Sequence, residues 1–121
     1  MGSQQYFPKT VLVVEDMPLI RMDAVTMFED MGYRVLEAAD GMEAIKVLES
    51  TRAVSLLFTD IEMPRMNGLE LAAVVAQRWP EIKILITSGR LAPREDDLPD
   101  DARFVPKPYD PQAIAGVFAV T

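Results

Sequence analysis

Five short apolar runs divide the chain, and the segments between them change period. "TVLVV" (10–14), "YRVLEAA" (33–39), "VSLLFTD" (54–60), "IKILIT" (82–87) and a run inside "ARFVPKP" (102–108) read as strands. The first is continuously apolar and mostly β-branched, which suits a strand buried on both faces. Between the runs, apolar residues recur at helical spacing. Pro18 stands where a first helical turn tolerates it, Ile20, Ala24, Met27, Phe28 and Met31 form one face, and Gly32 supplies the stop. Asp40 reads as the N-cap of "GMEAIKVLES", with Ala44, Ile45 and Leu48 as its core stripe. Leu69, Ala72, Ala73 and Ala76 are expected to face inward on a helix ending near "RWPE", and Asp110-Pro111 opens a last helix over "DPQAIAGVFAV". This alternation predicts the α/β class: a doubly wound, five-stranded parallel sheet with helices on both faces. Pro106 has no N–H for a ladder, which sends the fifth strand to a sheet edge.

One segment breaks the rhythm. A helix is due between the fourth and fifth strands, but the chain reads "SGRLAPREDDLPDDA". Pro93 and Pro99 leave little room for regular helix, and the Glu95–Asp97 and Asp100–Asp101 acids repel one another. The fourth helix is therefore expected to be short or irregular, and this stretch to be mobile.

At 121 residues the chain fits one domain, assigned to 10–121, with 1–9 read as an N-terminal tail that begins with a possible cloning remnant, Met1-Gly2-Ser3. Nineteen acids against 12 Lys plus Arg give a formal charge of −7, which opposes direct nucleic-acid binding. Without cysteine there is no disulfide, thiolate nucleophile or zinc ribbon, and without histidine there is no imidazole catalysis or self-phosphorylation on histidine. No apolar run approaches the ~18 residues of a membrane helix, and no secretory leader pattern is visible. The expectation is a soluble, cytoplasmic protein that contacts neither nucleic acid nor membrane, with a monomer favoured.

In a parallel α/β sheet, ligands bind beyond the carboxyl ends of the strands. Those ends carry Glu15-Asp16, Asp60, Thr87-Ser88 and Lys107. Any one of them is ordinary for a polar loop; complementary groups at four strand ends are much rarer. Three uncompensated carboxylates would repel and raise one another's pKa. A hard divalent cation such as Mg²⁺ removes that conflict, since it takes oxygen ligands and binds through one or two carboxylates plus phosphate oxygens. With the cation and Lys107 nearby, Asp60 stays ionised and can act as a nucleophile toward phosphorus.

"VLVVEDMP", "LLFTDIEMPRMNGLEL", "ILITSG" and "VPKPY" together resemble the signatures of the receiver domain of two-component response regulators, across about Thr10 to Val120. The resemblance implies the CheY-like, flavodoxin-type strand order 2-1-3-4-5. It makes Asp60 both the phosphoacceptor and a metal ligand, Asp16 a direct ligand of Mg²⁺ (or Mn²⁺), Glu15 a ligand through water, and Glu62 a ligand through its backbone carbonyl. Thr87 becomes the switch hydroxyl on a phosphoryl oxygen, Lys107 the cation paired with it, Phe104 the aromatic that follows the switch, and Pro108 the residue after a cis peptide. Gly68 is expected to supply a turn needing permissive backbone angles.

The partner implied is a sensor histidine kinase or a histidine phosphotransfer protein. A receiver catalyses its own phosphorylation and slow hydrolysis, but its role is signalling, so the protein is not classed as an enzyme. Two other readings compete. An aspartate-nucleophile phosphatase would want an acid/base where Glu62 stands and a cap domain. A phosphate-independent interaction module would use the same fold without the chemistry.

Overall fold

The computed structural model describes residues 9–51, 53–90 and 92–119. Most of the expected N-terminal tail (1–8), Leu91 in the stretch expected to be irregular, and Val120, expected to close the last helix, lie outside the described residues. The elements run β1 (Thr10–Val14), α1 (Pro18–Asp30), β2 (Arg34–Ala38), α2 (Gly41–Ser50), β3 (Val54–Asp60), α3 (Gly68–Arg78), β4 (Lys83–Ser88), β5 (Arg103–Pro106) and α4 (Pro111–Ala119). All strand pairs are parallel and the order is β2-β1-β3-β4-β5, as the sequence predicts. Pro106 is on an edge strand, where its missing N–H costs no ladder bond.

Residues alternate across the sheet, so each central strand feeds two cores. Leu12, Val14, Leu57, Ile84 and Ile86 pack under α2 and α3. Val11, Val13, Phe58, Leu85 and Val105 pack under α1 and α4, where Phe28 makes edge contacts with Tyr33 and Phe58. β1 is buried along its whole length, the consequence of helices covering both of its faces. No described helix is long and apolar enough to cross a membrane.

Local signals explain most helix ends. Asp40 caps α2 by accepting from the Glu43 N–H at 2.9 Å. Asn67 and Glu70 form a reciprocal capping box on α3, with hydrogen bonds of 2.8 and 2.9 Å. Gly32 ends α1 with φ of 93°, a left-handed turn that suits glycine.

Two expectations need correction. Ala73 was expected to face inward but is exposed, because the buried stripe of α3 runs Gly68, Leu71, Ala72 and Val75. Alanine is compatible with either face, so periodicity alone misassigned it. Gly68 does not have a positive φ; its need is steric, as described below. The missing helix between β4 and β5 is reduced to a single 3-10 turn, Glu95–Asp97, within a polar strap. Asp97 caps it by accepting from the Arg94 N–H at 3.1 Å.

Candidate functional site

Chain order places the topological switch between β1 and β3, which lie side by side while their connections leave in opposite directions. Glu15 and Asp16 follow β1, Asp60 ends β3, Thr87 lies near the end of β4, and Lys107 follows β5. The parity of the strands aims them together. Glu15, Asp60, Thr87 and Lys107 each lie two residues beyond Val13, Phe58, Leu85 and Val105, the sheet's contributors to the core under α1 and α4. The same alternation that builds this core therefore continues past it into a polar cluster.

Carboxylate oxygens of Glu15, Asp16 and Asp60 all lie within 4.8 Å of one another. Glu15 and Asp60 are almost fully buried. Lys107 Nζ lies 3.1 Å from Glu15 Oε1 and 3.3 Å from Asp60 Oδ1. The contact with Asp60 is an ion pair whose geometry leaves Oδ1 without a hydrogen bond. Thr87 Oγ1, also buried, has no hydrogen-bond partner among the described residues either. Thr87 is the register partner of Asp60, and Thr87 O accepts from the Ile61 N–H at 2.9 Å.

Burial lifts the Asp60 carboxyl to about 6, reinforced by the charge of Glu15 and opposed by Lys107. Burial pushes the Lys107 amine down, but its contacts with Glu15 and Asp60 outweigh this and hold it above its usual range. Two oriented, buried oxygens without hydrogen bonds, beside three clustered acids, are costly unless a further group completes the site. Oxygen donors of this charge and number fit a hard divalent cation.

Several residues outside the predicted set hold the cluster in place. Arg21 donates to the Glu15 carbonyl at 2.8 Å while its Nε pairs with Glu37 at 3.1 Å, tying α1 to β1 and β2. The Met17 N–H donates to Glu15 Oε2 at 3.2 Å. Ser88 donates a 2.6 Å hydrogen bond to Glu62 Oε2 and accepts from the Arg90 N–H at 3.1 Å. Nothing in local sequence marks Arg21 or Ser88 as supports, because Glu37 and Glu62 lie 16 and 26 residues away from them.

Gly68 closes the loop after Asp60. A Cβ there would fall 2.0 Å from the Asp60 carbonyl oxygen, and the Gly68 N–H donates to the Ile61 carbonyl at 2.9 Å. The Lys107–Pro108 peptide is cis. Phe104 is half-buried and packs in the core under α2 and α3, on the opposite face of β5 from Val105.

The sequence profile of the response regulator receiver domain matches residues 11–118. The chain is 37% identical over 113 residues to the sensor kinase CckA of Brucella abortus, covering 88% of this chain but only 12% of the kinase. It is 36% identical over 104 residues to the response regulator receiver protein CpdR of the same organism, covering 84% of this chain and 86% of CpdR. The response regulator TrrA of Thermotoga maritima, solved in complex with Mg²⁺ and a beryllium fluoride, superposes with a TM-score of 0.78 at 28% identity, over 91% of this chain and 99% of that one.

Proposed function

The chain belongs to the response regulator receiver domain family, and from that premise we propose that Asp60 accepts a phosphoryl group from a phosphohistidine on a partner protein. The convergence of three acids, an orphaned hydroxyl and an ammonium from four strand ends is the observation that carries this reading.

In the transfer step an Asp60 carboxylate oxygen forms a bond to phosphorus. The P–N bond of the donor breaks, and its electron pair leaves with the donor imidazole. Asp16 and Asp60 would hold Mg²⁺ (or Mn²⁺), with Glu15 acting through water and Glu62 through its backbone carbonyl. When bound, the cation neutralises acids and phosphoryl oxygens alike. The rigid end of β3 holds Asp60 in line with the incoming phosphorus. Lys107 then exchanges an Asp60 oxygen for a phosphoryl oxygen, and the Thr87 hydroxyl donates to another.

The new contacts, with Lys107 and Thr87 together, are of the right order to shift the fold once desolvation is set against the gross attraction. A unit charge pair at about 4 Å is worth roughly 4 kcal/mol gross at an effective dielectric of 20. Moving an equilibrium from 1:99 to 99:1 takes about 5.5 kcal/mol. Phe104 follows Thr87 as the readout on the other face of β5. The donor is a histidine kinase or a histidine phosphotransfer protein, the setting is cytoplasmic, and the output is a signal rather than metabolic turnover.

Acetyl phosphate with Mg²⁺ should add one base-labile phosphoryl group to the protein, seen as an intact-mass increment. The increment should vanish in Asp60→Asn and on chelation. Retention in Asp60→Asn would overturn the assignment. No increment in the wild type would leave the phosphate-independent interaction module as the reading.

A further inference from the structure

The strap that replaces a helix between β4 and β5 leaves an open groove of about 940 Å³ against α3 and the starts of both strands. Lys83 and Arg103, the first residues of β4 and β5, line it, so it lies at the end of the sheet opposite Asp60. We propose that this groove docks a basic amphipathic helix of a partner protein.

The α3 wall of the groove is built from small side chains. Ala73 and Ala76, one turn apart, face it, with Ala73 exposed to solvent. Small residues on a helix surface let a second backbone approach closely. Ile82, Ile84 and Leu98 add apolar lining. Exposed Ala73, off the buried stripe of α3, leaves room for a partner on this face.

The charge on the rim selects the partner. Glu81, Asp96, Asp97, Asp100 and Asp101 line the groove against only Lys83 and Arg103. None of these five acids makes an ion pair among the described residues. A chain of net charge −7 would repel a second copy of itself here, whereas Lys and Arg flanking an apolar stripe would be attracted and oriented.

The form of the partner follows from its backbone. An extended segment whose backbone left water against the groove floor would need an open strand edge to satisfy its N–H and C=O groups. The only free edge nearby is β5, four residues long and ending in Pro106. A helix satisfies its own backbone and presents one apolar face, the mode in which an amphipathic helix enters a groove.

The test uses the whole chain, isotope-labelled, with Mg²⁺ saturating the acids at the other end. The probe is a synthetic Lys/Leu/Ala peptide of ~15 residues, about the length at which isolated helices become marginal. Its addition should shift the resonances of Ala73, Ala76 and residues 96–103, and the peptide should gain helicity on binding. Ala73→Arg, which fills the exposed α3 wall with a cation, should weaken binding about tenfold or more while leaving the dispersed spectrum of the folded domain intact. A second variant, Asp97→Asn with Asp100→Asn, should weaken binding and reduce its salt dependence. The proposal is overturned if a Glu/Leu/Ala peptide of equal length binds as well, if a Lys-rich peptide with a central proline binds as well, if shifts spread over the whole surface, or if the chain dimerises through these residues.

Discussion

Lys107 Nζ lies 3.1 Å from Glu15 Oε1, an ion pair that joins groups 92 residues apart in the chain. Because the same ammonium also faces Asp60, it is the main positive charge offsetting two buried carboxylates. Lys107→Met should destabilise the metal-free protein at pH 7 by about 2 kcal/mol, below the 3–5 kcal/mol of a fully buried pair because the lysine keeps some solvent contact. Urea melts with and without Mg²⁺ check this: the deficit should shrink when the cation supplies the missing charge. An equal deficit in both would contradict the shared-counterion reading.

Asp60 should make stability depend on pH in the metal-free protein. Its carboxyl rises from 3.8 to about 6 on folding, mainly through burial. Between those values the folded chain binds more protons than the unfolded one, so stability falls as pH rises through the window. Asp60→Asn removes the titration. The variant should exceed the wild type by up to about 3 kcal/mol above pH 6, at 1.36 kcal/mol per pKa unit, and by little at pH 4. Denaturant melts in chelator across this range would expose a pH-independent difference, which would sink the prediction.

Gly68→Ala places a methyl group 2.0 Å from the Asp60 carbonyl oxygen and 2.9 Å from Ile61 Cα. Both are backbone atoms, so relief requires the loop itself to move. A loss of about 1–3 kcal/mol is expected, in the range of overpacking. Mg²⁺ affinity should fall with it, since the loop directly follows Asp60, one of the three clustered acids. Thermal unfolding and a Mg²⁺ titration measure the two effects; unchanged values would show that the loop yields freely.

Ser88 and Glu62 should be energetically coupled. Their hydrogen bond is 2.6 Å long and has a charged acceptor. A double-mutant cycle with Ser88→Ala and Glu62→Gln should give a coupling of about 1 kcal/mol or more. Additive effects would mean the contact is not maintained in solution.

The sequence disclosed the site residues through strand ends. β-branched runs located the strands, and the residue closing each run located the acids, the hydroxyl and the lysine. The parity that turns Glu15, Asp60, Thr87 and Lys107 to one side was present in the same letters, two positions past each core residue. Arg21 and Ser88 were not legible, because their roles depend on Glu37 and Glu62, which only folding brings near. Ala73 went wrong for a related reason: alanine carries too little hydrophobic signal to fix a face.

By itself the chain of letters determined the class of fold, the order of its elements, the edge position of β5 and the break where a helix was due, since each follows from local backbone preferences and the period of apolar residues. Only the tertiary structure decided which counterion each acid meets, that Gly68 is needed for space rather than for its backbone angles, and that the missing helix leaves an acidic groove. Those are properties of distances between segments far apart in sequence, and distance becomes defined only when the sheet has closed and its two cores have packed.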